Sequence, residues 1–440
     1  MSIQEQVKKA GVVGAGGAGF PTHVKVGSSA EWFLANGAEC EPLLHKDCEL
    51  MTHFAHQVID GLALAAQSVG ASKVAVGVKS KNRTAIEALE EAIGNRDIQI
   101  AEFGDFYPSG DEYEVVHTIT GRLIPPGGIP LDVGVVVNNV ETLLNVGQAV
   151  QGTPVTETYL TVAGLVRTPK TLKVPVGMRV SEVLELAGGA TIDEYAVMDS
   201  GLMMGKLVSD LEQPVTKTTG GLIVLPVEHS LIERYSKPPE QMARIGKSAC
   251  DQCSYCTELC PRYLLGYDVQ PHAVMRSLGF TASGSELWNQ YAQLCCGCGI
   301  CTLYACPEGL YPREACLEGI VDLKEAGKGK WEGKSEVKVH PMKEFRRVPM
   351  NLLVKRLGVG DYEAGAPWDP ASVNPRSVDI PLSQHMGSPA VPVVKEGDSV
   401  AKGQLVAGIE EGKLGAAVHA SISGLVTKIR GHVRIEAKDI

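Results

Sequence analysis

The stretch 14-GAGGAGFPTHVK-25 places four glycines in six residues and then reaches a proline. It contains G-x-G-x-x-G through Gly14, Gly16 and Gly19, the spacing of a dinucleotide-binding turn. That fingerprint needs a strand before it and a helix after it. Here QEQVKKA reads as a helix ahead of the loop, only three residues of strand could follow it, and Pro21 is unsuited to a helix interior. Glu39 does fall about 20 residues further on, as the fingerprint asks. The flanks still argue against an ordinary Rossmann turn. What survives is a physical property: successive glycines let backbone N–H groups close on a phosphate.

Outward from this loop, residues 71–103 read as strand, helix, strand, and 133–150 adds a further strand and helix, so the first 150 residues form an α/β unit. From about 158 the texture changes to short strands and turns, with one helix in 181-SEVLELAGG-189 and a closing strand in 221-GLIVLPV-227. Residues 240–325 are helical around cysteines. The stretch 326–375 is rich in Lys, Gly and Pro and reads as a linker with one helix near 349–358. The last 65 residues are Val- and Gly-rich, and their two short β units suggest a small sandwich of the biotinyl or lipoyl kind. Lys413, in EEGKLG, lacks the flanking residues of a modified carrier lysine, so no attached cofactor is expected there.

Composition narrows the class. The chain has 440 residues, 44% hydrophobic and 21% charged, enough for about three globular cores. A formal charge of −10 argues against a nucleic-acid surface. No apolar run approaches the roughly 18 residues of a membrane span. The opening MSIQEQVKKAG has no apolar signal core, so a cytoplasmic protein without membrane insertion is expected.

Nine of the 12 cysteines lie between Cys250 and Cys306. Such crowding in a leaderless chain argues for metal ligation rather than disulfides. The first motif, 250-CDQCSYCTELCP-261, is C-x2-C-x2-C-x3-C-P. The second, 295-CCGCGICTLYACP-307, is C-x2-C-x2-C-x4-C-P through Cys295, Cys298, Cys301 and Cys306. Three closely spaced thiolates wrap one face of a cubane, and the fourth reaches the neighbouring one. Two 4Fe–4S clusters follow, one on Cys250, Cys253, Cys256 and Cys306, the other on Cys295, Cys298, Cys301 and Cys260. Structural zinc also uses four cysteines, but its ribbons pair C-x2-C knuckles rather than triplets with a trailing C-P. The second motif carries one residue more than the first before its last cysteine, and Cys296 is a spare thiol able to replace a ligand. Cys40, Cys48 and Cys316 read as ordinary buried or partly buried thiols.

The glycine loop resembles the FMN loop of the flavin subunit of respiratory complex I and its relatives. Three further stretches occur in that family's order: 36-NGAECEP-42, 107-YPSGDEY-113 and 136-VVNNVETL-143. NGAECEP departs from the family in having Ala38 where complex I carries an acid. The resemblance implies that Gly14, Gly16, Gly17 and Gly19 cradle the FMN phosphate, with Lys25 as a charge partner. It implies that Asn36, Asn138, Asn139 and Thr142 hold the flavin and ribityl groups. Glu39, Glu41, Asp111 and Glu112 would border the flavin and nicotinamide site.

Residues 158–230 look like a soluble-ligand-binding (SLBB-like) β-grasp domain, and the tail, 381-PLSQHMGSPAVPVVKEGDSV-400 with 418-VHASISG-424, is similar to the sandwich domain of RnfC proteins. There that domain comes first; here it comes last. The rearranged order resembles the PduS-type cobalamin reductase family of propanediol-utilisation microcompartments. The expected architecture is multidomain α/β and α+β: a flavin domain over 1–155, a β-grasp domain over 156–235, a two-cluster ferredoxin module over 236–325, a linker over 326–375 and a barrel-sandwich over 376–440. The resemblance implies an NADH-dependent oxidoreductase that reduces cobalamin, with an adenosyltransferase and shell proteins as partners and a location within or attached to a bacterial microcompartment. The alternative is an RnfC-like protein passing electrons between NADH and ferredoxin. No D-x-H-x-x-G corrinoid motif is present, since 268-DVQPHAV-274 has the wrong spacing. Hydride transfer needs alignment more than proton chemistry, so no catalytic acid or base is expected.

Overall fold

The structure is a computed structural model, and it describes residues 1–279 and 289–437. Its first unit is an α/β layer. Helix α1 (Ile3–Lys9) starts at Ser2, whose hydroxyl accepts from Glu5 N while the Glu5 side chain returns the bond. The glycine loop follows, then a short α2 (Thr22–Val26), which begins directly after Pro21. Strands β1 (Trp32–Gly37), β2 (Lys73–Lys79), β3 (Gln99–Phe103) and β5 (Val135–Asn139) form a wholly parallel sheet in the order β3-β2-β1-β5. Its central strands read as continuous apolar runs because helices cover both faces. One face packs against α4 (Ala55–Val69), α5 (Arg83–Ile93) and α7 (Val140–Val150) through Phe33, Ile59, Val76, Leu89 and Leu143. The other packs α6 (Glu112–Thr120) through Leu34, Val115 and Val137.

Helices α4 and α7 approach so closely that a Cβ on Gly61 would lie 1.8 Å from Leu143 O. Gly61 is therefore a packing requirement. The consequence reaches the site, because α7 begins directly after Asn139.

The second unit is a five-stranded mixed sheet, order β7-β6-β10-β8-β9, with α8 (Val180–Leu186) packed on it. Its strands are β6 (Glu157–Gly164), β7 (Lys170–Pro175), β8 (Tyr195–Asp199), β9 (Lys206–Leu207) and β10 (Gly221–Pro226). The cysteine module is built of short helices, Pro239–Ala249, Tyr255–Glu258, Pro261–Leu264, Pro271–Ser277 and Pro312–Glu325. The C-terminal unit is two small antiparallel sheets closed over Val378, Ile380, Val406, Val418, Val426 and Ile435.

The stretch between them is a strap laid on the other units. Val348–Pro349 pairs antiparallel with β4 (Phe106–Tyr107), and Trp368 packs edge-on against Phe54. Its one longer helix is Met350–Leu357. Among the described residues, no helix is long and apolar enough to cross a membrane.

Candidate functional site

Parallel strands present their carboxyl ends at one edge, and that edge is where α/β sheets bind ligands. Here β1 and β5 lie side by side in the register Ala35↔Asn138 and Asn36↔Asn139. Three asparagines therefore stand together at one end of the sheet. The glycine loop folds over that end. It closes on itself through Gly14 N to Phe20 O (2.9 Å) and is pinned by Ala15 N donating to Thr142 Oγ1 (3.0 Å). A Cβ on Gly16 would meet the Asn139 side chain at 3.1 Å, a contact tight enough that Asn139 would have to shift. At Gly17 the space above the backbone is open.

The segment 107–113 reaches the same edge. Asn36 Nδ2 donates to Gly110 O (2.9 Å), and Lys25 Nζ spans Val137 O (2.8 Å) and Glu112 (3.1 Å). The structure thus brings together Gly14, Gly16, Gly17, Gly19, Lys25, Asn36, Glu112, Asn138, Asn139 and Thr142. Asn138 is 5% exposed and its Nδ2 has no hydrogen-bond partner. A buried amide left unpaired is costly, and at a strand end beside a phosphate-sized glycine loop it fits a ligand's acceptor. FMN is compatible with these residues on that observation.

The remaining acids are engaged elsewhere. Glu39 accepts from Asp47 N (3.1 Å) and Cys48 N (3.4 Å) at the start of α3 (Lys46–His53). Burial, followed by the charge on Asp47, pushes the Glu39 carboxyl up to about 7. Glu41 accepts three backbone N–H groups of the β-grasp unit, Leu202 (3.0 Å), Met203 (2.9 Å) and Met204 (2.9 Å). Burial outweighs those bonds and lifts its carboxyl to about 7. Asp111 caps α6 by accepting from Tyr113 N and Glu114 N, and pairs with Arg262 of the cysteine module (2.9 Å). Glu41 and Asp111 thus sit at joints between units.

Three residues that sequence reasoning missed support the asparagines. Asn139 donates from Nδ2 to Asp47 (2.7 Å), and Lys46 bridges Asp47 (2.6 Å) and Glu141 (2.8 Å). Burial acts to lower the Lys46 pKa, but the two carboxylates hold it above its ordinary value. Glu141 lies inside the quoted VVNNVETL and offered a signal; Lys46 and Asp47 offered none. Lys217 was also missed. Buried at the meeting point of three units, it donates to Gly11 O (2.7 Å) and Ala417 O (2.8 Å), and burial lowers it to about 7. Nearby, Met386 N donates to Gly19 O (3.1 Å), so the C-terminal sandwich touches the glycine loop. Gly19 has φ +66, and a Cβ there would meet His385 Cα at 3.0 Å.

The cysteines form two neighbouring groups. Cys250, Cys253, Cys256 and Cys306 line one open cleft. The extra residue of the second motif is absorbed by a π-type turn over Cys301–Ala305, which delivers Cys306 to the first motif's triplet. Burial, then Cys306, Cys250 and Cys253, push the Cys256 thiol up to about 12. A group of thiols that resist ionising together is stabilised by a cationic centre, which inverts that cost. Cys260, Cys298 and Cys301 are buried, and Cys260 lies within electrostatic reach of Cys295, Cys298 and Cys301. Cys316 hydrogen-bonds Cys295, the largest cause holding that thiol down to about 7. Cys296 sits against Cys298 as a fifth thiol in the second group. The donor sets fit two iron–sulfur clusters.

Comparisons with known proteins agree with this layout. Family models match for the Nuo51 FMN-binding domain over residues 7–148, the SLBB domain over 159–207, the 4Fe–4S dicluster domain over 249–311 and the RnfC barrel sandwich hybrid domain over 370–440. Cobalamin reductase PduS of Citrobacter freundii is 41% identical over 429 residues, 97% of this chain and 94% of that one. Its counterpart in Salmonella typhimurium is 41% identical over 428 residues, with the same coverage. The C component of the Na(+)-translocating ferredoxin:NAD(+) oxidoreductase complex of Acetobacterium woodii is 37% identical over 272 residues, 60% of this chain and 58% of that component.

Proposed function

The chain belongs to the cobalamin reductase PduS family, and on that premise we propose that it takes electrons from NADH and delivers them to cobalamin, reducing cob(III)alamin and cob(II)alamin towards cob(I)alamin for adenosylcobalamin recycling. It is an oxidoreductase of four parts: a flavin α/β unit, a β-grasp unit, a two-cluster module and a barrel-sandwich. One observation carries the reading. Four separated sequence stretches converge on the carboxyl end of a single parallel sheet, and the segment 107–113 of that site is bonded directly to the cysteine module.

FMN, when bound, takes up the two electrons of a hydride and releases them singly, which suits transfer to 4Fe–4S clusters. The chain's own residues hold and align. Gly16, Gly17 and Gly19 offer backbone N–H groups to the phosphate, Gly14 closes the loop by donating to Phe20 O, and the Lys25 cation is held nearby by Val137 O and Glu112. Asn138 supplies an unpaired amide, Asn36 and Asn139 stand beside it, and Thr142 fixes the loop. Glu39, held by the N–H groups of Asp47 and Cys48, borders the flavin and nicotinamide site. Cys250, Cys253, Cys256 and Cys306 serve one cluster, and Cys260, Cys295, Cys298 and Cys301 the other. Within the family's setting, the protein works in the cytoplasm inside or attached to a bacterial microcompartment, handing its product to an adenosyltransferase among shell proteins.

The test is an anaerobic assay of reconstituted protein with NADH and aquacobalamin, followed for cob(II)alamin. NADH-dependent reduction that is lost in Asn138→Leu supports the reading. A flavin bleached by NADH beside an unchanged corrinoid would overturn the acceptor assignment and favour ferredoxin.

A further inference from the structure

The two cysteine groups differ in where they face. The first opens outward: its Cys253 is exposed, and its cleft reaches solvent. The second is tied to the flavin unit twice, each time through the segment 107–113. Tyr107, 1% exposed, donates its hydroxyl to Cys298 O (2.7 Å). Arg262, two residues after Cys260, donates from Nη2 to Asp111 (2.9 Å), and its guanidinium lies 3.4 Å from the centre of the Tyr113 ring. The second group is therefore the inner one.

Arg262 is 8% exposed, and its Nε is buried without a hydrogen-bond partner. A buried guanidinium normally fills its donors, so this one is held for its position as much as for its bonds. Its paired carboxylate, Asp111, points its other oxygen at the N–H groups that open α6, where the helix dipole offsets the negative charge. The positive charge of Arg262 acts on Cys295 of the second group, while the compensating charge of the pair is drawn towards the start of α6.

We propose that Arg262 is a positioning residue for the inner cluster: it fixes the cysteine module to the flavin-side segment and makes the cluster on Cys260, Cys295, Cys298 and Cys301 easier to reduce. Reduction adds one electron and no proton, so the cluster and its four thiolates gain one negative charge. A buried cation nearby stabilises that added charge, because little water is present to screen it. At the outer cluster, open to solvent, water screens the same cation. This inference rests on the reading of the eight cysteines as ligands of two clusters.

The experiment is anaerobic potentiometry of the full holoprotein, read by low-temperature EPR, on wild type, Arg262→Gln, Arg262→Lys and Asp111→Asn. Cys253→Ser identifies which signal belongs to the outer cluster. In Arg262→Gln the inner cluster's equilibrium constant for reduction should fall at least tenfold, about 59 mV for one electron, while the outer potential holds. Arg262→Lys should recover most of the shift, since it keeps the charge without the planar fork. Asp111→Asn removes the countercharge and should move the inner potential the opposite way, a check that does not depend on the Gln variant folding. Unmoved potentials, an equal shift of both clusters, or a shift confined to the outer signal would overturn the inference. Wild-type protein that takes up fewer than two clusters would instead overturn the ligand reading beneath it.

Discussion

Gly61→Ala tests whether the flavin site is positioned by packing at a distance. Gly61 touches no candidate ligand-binding residue; it lies where α4 crosses α7. An added Cβ would fall 1.8 Å from Leu143 O and 2.6 Å from Leu143 C, whereas real contacts of this kind stay beyond 3.0 Å. The helices must part by at least about 1.2 Å, the difference between those limits. Both obstructing atoms are backbone, so no side chain can rotate away. Overpacking of this kind costs about 1–3 kcal/mol. Part of the displacement is carried by α7, whose first turn holds Thr142 and whose cap is Asn139. The Ala15 N to Thr142 Oγ1 bond is 3.0 Å, so a displacement of about 0.5 Å at Thr142 already takes it beyond hydrogen-bond range. The expected result is a lower melting temperature together with FMN affinity reduced about tenfold or more, each tenfold being about 1.4 kcal/mol. Apoprotein titrated with FMN and followed by quenching of flavin fluorescence measures this. Unchanged affinity in a destabilised Gly61→Ala protein would refute the link between helix packing and loop position.

Three further outcomes follow from the same geometry. Gly16→Val should abolish FMN retention in purified protein while leaving cluster content intact, because its side chain would occupy the 3.1 Å gap to Asn139; equal flavin content in the two proteins would count against the cradle. Glu41→Gln puts an amide nitrogen against one of three backbone N–H donors, so it should loosen the joint to residues 202–204 and lower the melting temperature. NADH reduction per bound flavin should stay unchanged, and a selective loss of NADH reactivity would place Glu41 in the nicotinamide site instead. Lys217 carries a pH signature. Its pKa falls from 10.5 in the unfolded chain to about 7 when buried, so between those values the unfolded chain holds a proton that the native state has lost. Stability contributed by this group therefore rises with pH from about 7 to 10.5, by at most about 1.4 kcal/mol per unit, and is flat below 7. Subtracting the pH–stability curve of Lys217→Met from that of wild type should isolate this slope; parallel curves would show that Lys217 is not buried as a cation-averse group.

Much of this was legible in the sequence because it depends on spacing. The alternation and helical periods over 71–103 and 133–150 appear as β2, α5, β3, β5 and α7. Thiolates at C-x2-C-x2-C spacing need no tertiary information to be grouped. The odd residue before Cys306 was visible, but its accommodation was not, since a π-type turn is chosen by the need to deliver Cys306 and not by local propensity. Strand β1 was missed: WFLANG lies inside the sheet, carries no alternation and ends in Asn-Gly, a turn-forming pair. Lys46, Asp47 and Lys217 were invisible because a buried lysine looks like a surface one until its partners, in Lys217's case 200 or more residues away, are known. Glu41 and Asp111 show the reverse. The resemblance implies a place beside the flavin for both, yet their hydrogen bonds run to neighbouring units.

The most direct test of the central claim is an anaerobic NADH titration of fully loaded protein, with FMN, iron and zinc quantified on the same sample and EPR spectra taken after reduction. The account expects one FMN and two 4Fe–4S clusters per chain, with both clusters accepting electrons that originate in NADH. Zinc in place of iron in either cysteine group, or clusters that only dithionite and never NADH can reduce under any ratio, would contradict it.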